Sequence, residues 1–82
     1  TGPQYAAILD NKGNVLLHSD PKHIGDQLGR LWYEEKIREY VVETKSKALT
    51  NGETAVDVRQ PISVGGREVG EYHTGFNVKW LN

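Results

Sequence analysis

The chain has no cysteine, which excludes disulfides, thiolate metal sites, c-type haem attachment and a cysteine nucleophile. No apolar run approaches the ~20 residues that a membrane-spanning helix needs, and no stretch reads as a signal peptide. An excess of charge of one sign is missing too. Ten basic and eleven acidic residues leave a net charge of −1, with the signs interspersed. Without a basic face, nucleic acid is not an expected partner. Nucleophile elbow, P-loop, dinucleotide fingerprint and zinc-protease motif are all absent. The chain is therefore not expected to be an enzyme, and neither a cofactor nor a metal is expected. Absence of cysteine suits a bacterial periplasmic domain, and many cytosolic ones equally.

What is present fits one small domain spanning residues 1–82. A chain of this size buries only a thin core, so a ligand pocket has to be shallow or completed by a partner. Tyr5 to Asp10 and Val15 to His18 are short apolar runs joined by Asn11-Lys12-Gly13-Asn14, a pattern that predicts a β-hairpin. Ser19-Asp20-Pro21 stops the second strand, because proline cannot donate to a ladder. Lys22 to Gly29 reads as a polar loop with Ile24 and Leu28 as apolar anchors.

From Leu31 to Leu49 there is neither glycine nor proline, and Tyr33, Ile37, Tyr40, Val41, Thr44 and Ala48 recur at helical spacing. That spacing predicts one amphipathic helix, stopped at Thr50-Asn51-Gly52 by a left-handed cap. Glu35, Glu39 and Glu43 stand one turn apart, a repulsion of a few tenths of a kcal/mol per pair. After Gly52 the period becomes two: Val56, Val58, Gln60, Ile62 and Val64 share one face, and Ala55, Asp57, Arg59, Pro61 and Ser63 the other. Gly65-Gly66 signals a tight hairpin. On the returning strand Gly70, Tyr72, Thr74 and Phe76 alternate with Glu71, His73 and Gly75. Hairpin, loop, helix, hairpin favours an α+β fold.

The first hairpin, Ile8-Leu9-Asp10 through Gly13, Val15-Leu16 and His18-Ser19-Asp20-Pro21, is followed by Ile24-Gly25. Together with Pro61 to Gly70 it resembles the Cache family, the extracytoplasmic relatives of PAS domains. The resemblance spans roughly Tyr5 to Val78, and the first motif is the more specific. It implies a PAS-like antiparallel sheet of about four to five strands with one main helix packed across it. It also implies a periplasmic location in a receptor with flanking transmembrane helices, a histidine kinase or a chemoreceptor. Family members usually begin with a long helix, whereas this chain starts almost at its first strand; a single, shortened module with a small pocket is the expectation.

In such folds a ligand lies against the sheet, so polar side chains on strand faces are the candidates: Asp57, Arg59, Tyr72, His73 and His18. Arg59 can hold a carboxylate through two parallel hydrogen bonds, while Tyr72 and His73 offer adjustable donors. In a regular strand those two point to opposite faces. Asp57 and Arg59 read equally well as a solvated surface pair. His18 to His23 is the densest polar cluster, with a loop-anchoring Asx-type turn at Asp20 favoured over metal binding. Trp32 and Tyr33 read as packing residues, and Trp80 as a membrane-surface anchor or a sheet contact. Two functions follow: a sensor of a small molecule, such as an organic anion, or a dimerisation module that relays without binding.

Overall fold

The computed structural model describes residues 2–28, 35–38 and 40–77, with residues 35–38 described by their backbone. Among the described residues six strands form one antiparallel sheet: β1 (Tyr5–Asp10), β2 (Val15–His18), β3 (Glu35–Arg38), β4 (Val41–Thr44), β5 (Ala55–Val64) and β6 (Arg67–Asn77). Their spatial order is β2-β1-β6-β5-β4-β3. The first strand therefore lies between its hairpin partner and the last strand, paired with β6 from Tyr5↔Gly75 to Asp10↔Gly70.

Local chemistry sets the first hairpin. Asp10 accepts from the Lys12 and Asn14 amides at 2.9 Å each and from the Asn14 side chain at 2.8 Å, while Gly13 takes a φ of 85° that L side chains rarely adopt. Alternation along β1 buries Tyr5, Ala7 and Leu9 and leaves Ala6, Ile8 and Asp10 partly open. A register shift between Ile8 and Leu9 leaves Leu16 and Leu17 on the exposed edge strand. The second hairpin turns through Gly65 and Gly66, both at positive φ, as a two-residue primed turn requires. Pro61 sits inside β5 opposite Glu71, but β4 pairs only with Ala55 to Val58. At Pro61 that edge of β5 is open among the described residues, and no ladder bond between them is lost.

The expected α+β arrangement with one main helix across the sheet is overturned. Where a helix over Leu31–Leu49 was expected, the described part of the chain forms β3, β4 and a one-turn helix α1 (Lys47–Thr50), and the strand number is six. Three physical reasons favour the sheet. Ile37, Val41, Val42 and Thr44 are β-branched and lose rotamer freedom in a helix. The spaced glutamates repel one another along a helix face. Val42 and Thr44 bury on one side of β4 while Val41 and Glu43 remain partly open, and pairing Val41–Thr44 with β5 satisfies the backbone. The mainly-β fold keeps α1 as a plug: Leu49 is 1% exposed and joins Tyr5, Ala7, Leu9, Val15 and Ala55, with Leu28 packed against them. Burying such a leucine stabilises by about 1.5–3 kcal/mol. The stop is as expected, with Asn51 at φ 58° in the left-handed cap. Trp32, Tyr33 and Trp80 lie outside the described residues.

Candidate functional site

The core face of the sheet carries a row of ionisable side chains. Asp57 and His73 are 0% exposed and Tyr5 is 2% exposed. The Tyr5 hydroxyl donates to Asp57 Oδ2, and His73 Nδ1 lies 2.8 Å from Asp57 Oδ1. The centre of this arrangement is Gly75. It pairs with Tyr5 on one side and with Asp57 on the other, and a Cβ there would fall inside the Tyr5 ring. The missing side chain lets the ring lie across β6 and reach the carboxylate on β5.

Two residues along, the network turns outward. Arg59 and His73 are cross-strand neighbours, yet each reaches diagonally: His73 to Asp57, Arg59 to Glu71 at 3.3 Å. Glu71 Oε2 also lies 3.2 Å from His73 Nε2. That nitrogen nonetheless makes no hydrogen bond among the described residues. The Arg59 guanidinium stands 5.5 Å from the centroid of the Tyr40 ring, a contact worth about 0.5–1 kcal/mol near the surface. Its own backbone N–H donates to the Tyr40 carbonyl at 2.8 Å. Arg59 and Glu71 are partly exposed, at 38% and 26% of their side chains. The network thus starts in the core and ends at solvent.

On the other side of Tyr5 the row continues. The His18 ring stacks on Tyr5 with centroids 6.1 Å apart, and His23 follows at 4.9 Å. His18 Nδ1 accepts the Asp20 amide at 2.8 Å, so this ring carries its proton on Nε2 when neutral. Burial, then the field of His23, pushes the His18 imidazole below its ordinary value. Asp20 caps the 3₁₀ turn Pro21–His23 by accepting from Lys22 N, the Asx-type role the sequence favours. No group of three or more metal-ligating side chains converges among the described residues.

Of the five candidate residues, the structure joins Asp57 and His73 directly and Arg59 through Glu71. Asp57 and Arg59 are not a solvated pair: Asp57 is wholly buried, and each reaches instead to β6. Tyr72 is on the opposite face, lining a shallow apolar groove of 330 Å³ with Ala6, Ile8, Leu17 and Ser19. His18 borders that groove and meets the network through the Tyr5 ring. Sequence reasoning missed Tyr5 and Glu71. Glu71 carried a signal, since it shares a strand face with His73; Tyr5 carried none, because its pairing with Gly75 is long-range. No protein-family model matches the chain, and no curated protein matches it.

Proposed function

We propose that this chain is the signal-sensing module of an extracytoplasmic receptor in a bacterial membrane, and that it binds a small organic anion at Arg59 and His73. The Cache-like wording of the first hairpin supports the class of protein. One observation carries the ligand: a fully buried histidine with an unbonded Nε2 beside a half-exposed arginine that is held only by Glu71 and Tyr40 among the described residues. Buried polar groups are in general paired, so an unbonded ring nitrogen beside an accessible guanidinium is a place where a ligand can add contacts.

A ligand carboxylate can take the two parallel N–H bonds that Glu71 does not use on Arg59. Glu71 is then free to shift against the His73 ring, which it already approaches to 3.2 Å. His73 is tied through Asp57 to Tyr5, and so to β1. Binding that favours one alignment of β6 against β1 shifts the population between two arrangements, which a receptor passes on through whatever β6 adjoins. The output is a histidine kinase or a chemoreceptor signalling domain.

The test is a thermal-shift panel of acetate, dicarboxylates and amino acids. A ligand at about 100 times its Kd adds about 2.7 kcal/mol to the folded state, which raises Tm by several degrees in a chain this small. The rise is expected in the wild type and is expected to vanish in Arg59→Ala. A panel that leaves the wild-type Tm unchanged at millimolar concentration overturns the reading.

A further inference from the structure

His23 stands apart from the anion site, at the far end of the row, and it touches two elements at once. Its Nδ1 lies 3.0 Å from Asp26 Oδ2, three residues along the same loop. Its Nε2 lies 2.7 Å from Asn51 Oδ1, at the left-handed C-cap of α1 and 28 residues away in sequence. Both ring nitrogens face oxygen acceptors. A neutral imidazole has one donor and cannot serve both; the imidazolium can.

The loop that His23 holds is not a free excursion. The Val15 amide donates to the Asp26 carbonyl, Gly25 donates to Val15, and Leu28 donates to Gly13, each at 2.8 Å. Asn14 and Gln27 make a further bridge. The segment from Asp20 to Leu28 thereby runs along the outer edge of the first hairpin. It satisfies groups that an edge strand would otherwise present to solvent. The contact from His23 to Asn51 joins that strap to α1, the element whose Leu49 plugs the core.

We propose that His23 is a pH-operated clasp, closed when its ring is protonated and released when it is neutral, that locks the strap over β2 to the cap of α1. The groups facing His23 fit this role. Asp26 from the strap and Asp20 from the start of the 3₁₀ turn favour the cation, and the Asn51 amide completes it. Lys22 is drawn off by its 3.5 Å ion pair with Asp20. His18 from β2 opposes a second positive charge beside it, and its Nδ1 accepts the Asp20 amide and donates nothing to the Asp20 carboxylate. The hydrogen bond to Asn51, then that to Asp26, holds His23 above its ordinary value. Opening therefore comes as pH rises past that value, and it frees the edge of β2 and the end of α1 together. The clasp does not depend on an anion binding at Arg59.

The experiment is a proton NMR titration of the whole chain, following the three histidine rings and the amides of Gly25, Asp26, Asn51 and Gly52. His23 is expected to titrate above 6.5, and the four amides are expected to move with the same midpoint. His23→Gln should abolish that shared transition. Asn51→Asp offers a carboxylate and no N–H, so it should raise the midpoint, and Asn51→Ala should lower it. A rotated Asn51 amide donating to a neutral ring would instead make Asn51→Asp disruptive and leave the midpoint unraised. A midpoint at or below 6.5, amides that ignore His23, or an Asn51→Asp variant with an unraised midpoint each overturns the clasp.

Discussion

Gly75→Ala is the smallest change that should dismantle the buried network. The added methyl would occupy the volume of the Tyr5 ring, and both strands are fixed by neighbours on either side, so the ring has to leave. Displacing a core aromatic costs up to the ~3–5 kcal/mol of a full truncation. The Asp57 oxygen that loses its hydroxyl donor adds about 1–3 kcal/mol. Better strand propensity of alanine over glycine returns only about 0.5–1 kcal/mol. The net is about 3–7 kcal/mol, against a total stability of about 4–12 kcal/mol for a chain of this length. Urea unfolding followed by circular dichroism should register this as a fall in midpoint of about 2 M or more. Tyr5→Ala empties the space that the methyl needs. In that background Gly75→Ala should cost no more than about 0.5 kcal/mol, a coupling well above 2 kcal/mol in the double-mutant cycle. Gly75→Ala within about 0.5 kcal/mol of the wild type, or additivity with Tyr5→Ala, would refute the packing argument.

Two further outcomes are expected. Asp57→Val alone leaves the buried His73 without its partner and should cost about 3–5 kcal/mol, whereas the triple change Tyr5→Phe, Asp57→Val, His73→Leu should be markedly less destabilised; urea midpoints that rank the other way would show that the network is itself the main source of stability. His18 has its folded pKa lowered by burial first and by His23 second. The stability it contributes is complete above 6.5 and is lost as pH falls through that value towards the lowered one. His18→Asn keeps an acceptor for the Asp20 amide and should flatten that acid-side loss, which unfolding midpoints measured between about pH 5 and 8 would reveal; an unchanged slope removes His18 from the account.

Tyr5 to Asp10, the Asp10-centred turn, Val15 to His18, the alternation from Ala55 onward and the Gly65-Gly66 turn were all legible in the sequence, because each depends on residues within a few positions of one another. So was the left-handed cap at Asn51, where a side chain that tolerates positive φ meets a glycine. The face-sharing of Asp57 with Arg59 and of Glu71 with His73 follows from a period of two and needs no tertiary information. The alternation also separated Tyr72 from His73.

Only the tertiary structure decided the region from Glu35 to Thr50. Its apolar residues satisfy helical spacing and strand alternation about equally, and the tie is broken by the free edge of β5, which offers hydrogen bonds to Val41–Thr44 that no local window contains. The same holds for the network. Asp57 and Arg59 as neighbours on one face look like a surface pair until β6 is laid beside them, with Gly75 leaving room for a tyrosine from the far end of the chain. A sequence of this length fixes which side of each strand a residue takes, through the geometry of adjacent peptide units. Which strand comes to lie on that side is settled by the fit of distant surfaces, and at this site that fit turned an expected surface pair into a network that runs from the core to solvent.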